Sequence, residues 1–182
     1  DDGFYYDFDF SDQQVSENDL EAIEKKMRFL VKNWGAFTKE EVSREQALDR
    51  YKDNEFKSEL ISEFADEGKV LTLYKSGNFV DLCKGGHIDK PSVQLKHFKL
   101  LTLAGAYWRG SEENKMLTRI YGVAFETEKE LKEYLKMQEE AEKRDHKKLG
   151  VALDLFVFSE LVGAGLPLWT PRGTLVRNLL DE

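Results

Sequence analysis

The chain has 182 residues, 41% hydrophobic and 12% aromatic, with 27 Lys and Arg against 35 Asp and Glu for a net charge of −8. That is enough apolar material for a core, and enough length for one domain and part of another; the acidic balance argues against a general nucleic-acid binder. A single cysteine excludes an internal disulfide framework and fits a reducing compartment, expected to be cytoplasmic, and no apolar run approaches the roughly 20 residues of a membrane helix.

Residues 4–10 are rich in aromatics and read as a strand. Ser16 and Asp19 form a capping-box variant ahead of a helix with Leu20, Ile23, Met27, Leu30 and Val31 on one face. Ser43 and Gln46 open a second helix. A third carries Phe56, Leu60, Ile61 and Phe64 and ends near Gly68. Strands follow: Val70 to Tyr74 and Phe79 to Cys83 flank a turn at Lys75-Ser76-Gly77-Asn78, with more at about 98–103, 107–108 and 117–125. Thr127 and Glu130 cap a long helix, expected to reach about Leu149 and to stop at Gly150. Its narrow apolar stripe suits a solvated helix bridging two domains. The pattern predicts an α+β fold: an antiparallel sheet with helices packed on one face, followed by a long linker helix.

Asp81-Leu82-Cys83-Lys84-Gly85-Gly86-His87 is the chemically richest stretch. It sets a carboxylate, the only thiol and an imidazole around a Gly-Gly turn at a strand exit. Such a group can move protons, bind a metal or hold a polar substrate. Cys-x3-His supplies only two ligands, which do not make a zinc site, and a buried cysteine beside a structural histidine accounts for the same residues. Lys84, Lys90, Lys96 and Lys99 follow against a single Asp89. They suit an RNA end screened from an acidic body, or a lysine-rich edge strand that resists aggregation; charge alone favours the edge strand. His97, in a strand beside Phe98, and His146, near a helix C-terminus, are assigned to structure. There is no P-loop, dinucleotide fingerprint or metalloprotease helix.

Several blocks carry a family resemblance. Asp2-Gly3-Phe4-Tyr5-Tyr6-Asp7-Phe8, then Tyr107-Trp108-Arg109-Gly110-Ser111 and Asn114 to Gly122, are similar to the editing domain of threonyl-tRNA synthetases. Arg144 to Gly150 with Leu153-Asp154-Leu155-Phe156 resembles that family's junction with the aminoacylation core. Gly163 to Gly173 resembles the entry to the first class II motif. The resemblance implies an editing domain over 1–125, a linker helix over 126–150 and the beginning of a class II aminoacylation domain over 151–182. The sequence opens without Met inside an expected strand and closes inside an expected helix, so it is expected to be an excised piece.

What the resemblance implies chemically follows from specificity. Serine lacks only one methyl relative to threonine, worth roughly 1–3 kcal/mol in a pocket. A second site that hydrolyses the seryl ester on threonine tRNA supplies the remaining discrimination. Carried over by residue, that site is Tyr6, Lys57, Asp81, Cys83 and His87, with Gly85 and Gly86 at the substrate and no metal. Lys57 would hold water and steady the oxyanion, and Asp81 would pair with the seryl ammonium. Cys83 would pack on or hydrogen-bond the seryl side chain rather than act as a nucleophile, and His87 would orient water or a ribose hydroxyl. Each has an ordinary alternative: an exposed helix lysine, a strand-end hydrogen bond, a loop histidine, an aromatic in core packing.

The sequence departs from the family in two places. A His-x3-His pair that precedes the Phe-Tyr-Tyr segment in the family has no counterpart here, so this stretch alone is expected to carry half a site and to be inactive or nearly so. Lys84-Gly85-Gly86 replaces the usual Arg-Gly-Pro, which loosens the loop and is reminiscent of alanyl-tRNA editing domains. Two rivals therefore stand beside the main reading: an alanyl-type zinc-dependent trans-editing domain, and a non-catalytic tRNA-docking module. The resemblance further implies a homodimeric parent enzyme using ATP, Mg and a zinc in its catalytic core.

Overall fold

The computed structural model describes residues 3–11, 13, 15–163 and 165–181; Asp2 and Ala164 of the family-like blocks, and Glu182, lie outside them. The chain divides into two compact units, residues 1–131 and 132–182. No helix among the described residues is long and apolar enough to cross a membrane.

The first unit holds two three-stranded antiparallel sheets. The first sheet has the order β1 (Phe4–Phe8), β6 (Met116–Phe125), β5 (His97–Tyr107); the second has β2 (Thr38–Val42), β3 (Leu71–Ser76), β4 (Phe79–Leu82). Helix α1 (Glu17–Val31) packs Leu20, Ile23 and Met27 against Leu100, Leu103 and Ile120 of the first sheet. Helices α2 (Arg44–Arg50) and α3 (Glu55–Asp66) bury Ala47 and Ile61 with Leu71 of the second, and a single turn, α4 (Pro91–Gln94), precedes β5. The fold is α+β, its strands in separate sheets rather than one.

Local chemistry explains the boundaries. The Asp19 carboxylate accepts from the Ser16 backbone N–H at 2.8 Å and from its hydroxyl at 2.9 Å, opening α1. The Ser43 and Gln46 box opens α2. The β3–β4 turn is only Gly77-Asn78, and Gly77 has φ +60°, which a two-residue hairpin with glycine first requires.

Helix α1 also seals the outer edge of β5. Glu24, buried on a face read as apolar, accepts from the Leu100 backbone N–H at 3.0 Å, where a bulge shifts the β5–β6 register. Arg28 donates to the Lys96 carbonyl at 2.9 Å and to the Phe98 carbonyl. Glu17 accepts from the Thr102 hydroxyl at 2.8 Å. Three backbone groups at the start of this edge, the Lys96 and Phe98 carbonyls and the Leu100 N–H, are thereby satisfied from one helix. Leu30, expected on the buried face, is 53% exposed.

Several expectations need correction. Residues 97–107 form one strand, not two, and residues 108–110 form a short 3-10 turn. The expected long helix breaks into α5 (Glu128–Lys143) and α6 (His146–Ala152), because the Asp145 side chain caps a new start by accepting from the Lys147 N–H at 2.8 Å. His146 is therefore at a helix start rather than an end. Gly150 lies inside α6, where an added Cβ would sit 2.0 Å from the Phe156 ring, so close packing rather than helix termination requires glycine. In the second unit, β7 (Phe156–Phe158) pairs with β8 (Pro167–Trp169), and α7 (Pro171–Leu180) starts at Thr170, whose hydroxyl accepts from the Gly173 N–H at 3.0 Å.

Candidate functional site

Asp81 lies on β4, one of the two edge strands of the second sheet. Its Oδ1 accepts from the Lys57 Nζ at 2.7 Å and from the Leu82 backbone N–H at 2.8 Å. Its Oδ2 accepts from the Tyr6 hydroxyl at 2.7 Å. Three elements from different parts of the chain meet at this carboxylate: β1 of the first sheet, the first turn of α3 and β4. The Lys57 and Asp81 side chains are only 20% and 18% exposed, so the ion pair is well shielded from water. Burial, then the hydrogen bond to Asp81, raises the Tyr6 hydroxyl far above the ordinary tyrosine range, which keeps it a donor.

Lys57 is set in place by its helix. Asn54 caps α3, its Oδ1 accepting from the Lys57 backbone N–H at 2.9 Å, which puts Lys57 in the first turn. The tip of the β5–β6 hairpin holds the next turn. Trp108 Nε1 donates to Glu59 at 2.8 Å, the Arg109 guanidinium pairs with Glu59 at 2.6 Å and with Glu63, and Phe56 meets the Trp108 ring edge-on at 5.0 Å. Arg109 does this from a left-handed backbone conformation, φ +55°. The tryptophan and arginine that carried the family resemblance thus position the helix that bears Lys57.

Cys83 and His87 lie in an adjoining cluster. The Cys83 backbone N–H donates to the Thr72 carbonyl at 3.0 Å, and its Sγ accepts from the Gly85 N–H at 3.5 Å. His87 is sandwiched between Phe37 and Tyr74, each ring centroid 4.2 Å away, and its Nδ1 is buried without a hydrogen-bond partner. Tyr74 joins the two clusters. It stands opposite Asp81 in the β3–β4 register, and its hydroxyl closes on the Gly-Gly turn, where a Cβ on Gly85 would be 2.8 Å from it. Gly85 and Gly86 have φ of +112° and +83°, which side chains strain to adopt.

Of the residues expected from sequence, Tyr6 and Lys57 contact Asp81 directly, while His87 packs on Tyr74 and the Cys83 thiol contacts Gly85 of the following turn. Sequence reasoning missed Tyr74 and Phe37. The first was within reach, because a two-residue turn at Gly77-Asn78 fixes Tyr74 opposite Asp81; Phe37 lies in a loop with no periodic signal. Among the described residues no group of three or more His, Cys, Asp and Glu side chains is placed to hold a metal. Of the lysines 84–99, Lys99 pairs with Glu24 at 3.2 Å beside the sealed β5 edge, and Lys84 lies over the Phe64 ring.

Residues 71–121, which include β3, β4, the Gly-Gly turn, β5 and most of β6, match the family described as the threonyl and alanyl tRNA synthetase second additional domain. Along its whole length the chain is 52% identical to a threonine–tRNA ligase of Borrelia turicatae, of which it covers 31%. It is 48% identical over 181 residues to the threonine–tRNA ligase of Streptococcus equi subsp. zooepidemicus, covering 28% of it. Over 178 residues it is 48% identical to that of Thermotoga neapolitana, covering 27%. The chain is similar to threonyl-tRNA synthetases along its whole length. It spans about a third of the length of the ligases it matches, and the match runs through both units. Because these relatives are threonine–tRNA ligases, the alanyl-type alternative is not favoured.

Proposed function

We propose that this chain forms part of the editing site of a threonine–tRNA ligase and takes part in hydrolysing the seryl ester of mischarged threonine tRNA. The observation that carries the reading is the convergence of Lys57 and Tyr6 on the two oxygens of Asp81. A carboxylate has about four acceptor positions. Three are used here, by Lys57, Leu82 and Tyr6, which leaves one on Oδ2 for an N–H of the seryl ammonium. Lys57 spends one of its three donors on Asp81; the others can face the ester carbonyl or the attacking water and stabilise the negative charge that develops. Cys83, just past the end of β4, would border the seryl side chain. His87, gripped between two rings, would present its imidazole to water or to a ribose hydroxyl.

The parent enzyme would be a class II ligase joining threonine to its tRNA with ATP and Mg, acting as a cytoplasmic homodimer with a zinc in its catalytic core. The test is release of serine and of threonine from threonine tRNA by the full polypeptide in which this sequence occurs, beside its Lys57→Ala and His87→Ala variants. The expected result is rapid seryl release, spared threonyl ester, and a loss of at least about a hundredfold in the Lys57 variant. Equal seryl release by all three proteins would overturn the reading and leave a tRNA-docking module in its place.

A further inference from the structure

His87 follows the Gly-Gly turn, yet its ring is held from elsewhere in the second sheet. Phe37 and Tyr74 take the imidazole between them, each centroid 4.2 Å away, the ring planes inclined by 33° and 35°. Both clamping residues are themselves fixed. Phe37 meets the Trp34 ring at 5.8 Å, and its loop is tied to β3 by the buried Ser76 hydroxyl, which donates to the Gly35 carbonyl at 3.1 Å. Tyr74 lies on β3, the central strand, directly opposite Asp81, so the two side chains rise from one face of the sheet. An imidazole stacked on Tyr74 therefore stands on the face that carries the Lys57–Asp81 pair.

The clamp also selects which ring nitrogen carries the proton. His87 Nδ1 is buried without a hydrogen-bond partner, the one such side-chain atom among the described residues. A neutral imidazole has one N–H and one bare acceptor nitrogen. An orphaned buried N–H is rarer in proteins than an under-satisfied acceptor, so the bare nitrogen belongs at the buried position and the N–H at Nε2. We propose that Phe37 and Tyr74 are positioning residues that clamp His87 as its Nε2–H tautomer, so that it donates a hydrogen bond to an oxygen of the ligand rather than taking a proton from it. That the ligand is a seryl ester rests on the proposed function. The proton lost by the attacking water then goes to a group other than His87.

The experiment is a long-range 1H–15N correlation spectrum of the imidazole rings in the 15N-labelled 182-residue chain at about pH 8, above the range in which free imidazole titrates. The chain has three histidines, and His87→Gln identifies the His87 peaks. The expected pattern is a single Nε2–H tautomer in the wild type and a mixture of both tautomers in Phe37→Leu and Tyr74→Leu. Tyr74→Phe, which keeps the ring, stays close to the wild type. In the full polypeptide, each leucine variant lowers kcat/KM for seryl release about tenfold, the worth of one hydrogen bond, and Tyr74→Phe loses less than Tyr74→Leu. His87→Gln, whose amide N–H can stand in for Nε2–H, loses less than His87→Ala. Where a leucine variant fails to fold, Gly85→Ala makes the same test, because its Cβ would displace the Tyr74 hydroxyl without removing the ring. An Nδ1–H tautomer in the wild type, or an Nε2–H tautomer unchanged in these variants, overturns the inference. The expected spectra in a polypeptide that releases no serine would uphold the clamp and overturn the hydrolytic reading alone.

Discussion

Trp108 Nε1 donates to Glu59 at 2.8 Å, tying the tip of one hairpin to a helix that packs on the other sheet. Glu59 follows Lys57 closely on α3 and also takes the Arg109 guanidinium. The bond therefore fixes how deeply Lys57 reaches toward Asp81. Glu59→Leu, which removes the acceptor, with Trp108→Phe is expected to lower kcat for seryl release several-fold and to leave KM nearly unchanged. The double variant should lose less than the two single losses multiplied, because both remove one link. Multiplicative losses would mean that the two residues act separately.

Asp81 itself is the most sensitive position. Asp81→Asn keeps the shape but removes the charge that pairs with Lys57, leaving an ammonium only 20% exposed without its counterion. A loss of at least about a hundredfold in hydrolysis is expected, together with destabilisation of about 3 kcal/mol. Tyr6→Phe removes one neutral donor and should cost about 1 kcal/mol. Deacylation rates and urea denaturation of the three proteins check both the order and the gap.

Gly85 and Gly86 have positive φ, yet they should not respond alike. A Cβ at Gly86 meets open space, so Gly86→Ala carries backbone strain of about 1–2 kcal/mol. At Gly85 the same atom also meets the Tyr74 hydroxyl at 2.8 Å, so Gly85→Ala should cost more and shift Tyr74 from its place on His87. Adding Tyr74→Phe should recover part of the loss in Tm for Gly85→Ala and none for Gly86→Ala.

Glu24 gives the molecule a pH dependence. Burial pushes its carboxyl up, but hydrogen bonds from the Leu100 N–H, Arg28 and Lys99 outweigh that and hold it below the ordinary range. A carboxylate lowered by folding contributes stability that is fully present above its unfolded value, about pH 4.3, and lost as pH falls through the folded one. Thermal melts at pH 7 and in steps toward pH 3 should show a steeper acid loss in the wild type than in Glu24→Gln. Glu24→Ala strands the Leu100 N–H and should cost about 1–3 kcal/mol at neutral pH.

Much of the fold was legible because the signals were local. Capping boxes at Ser16, Ser43 and Thr127 mark true helix starts. Thr38–Val42 gave no strand signal: Thr38, Lys39, Glu40 and Glu41 are all polar, so neither face alternates, and only pairing with β3 makes them a strand. Ala104-Gly105-Ala106 lacks strand propensity and is held extended by pairing with Leu117, Thr118 and Arg119 of β6. At the site, family resemblance named the residues, but no pattern along the chain connects Tyr6, Lys57 and Asp81. Their meeting depends on how two sheets and a helix come together, which periodicity does not encode.

The cap at Asn54 has a further consequence. It holds Lys57 in the opening turn of α3, where unsatisfied N–H groups make the helix end positive and an acidic residue would be preferred by about 0.3–1 kcal/mol. A sequence chosen only for folding would not put a cation there. With its own helix repelling it, the ammonium has one strong attraction, the Asp81 carboxylate. A cation that takes the free position on Asp81 Oδ2 shares that attraction and leaves the two remaining donors of Lys57 readier for new negative charge, such as a reacting ester develops. The misplaced cation makes the arrangement spring-loaded toward anions.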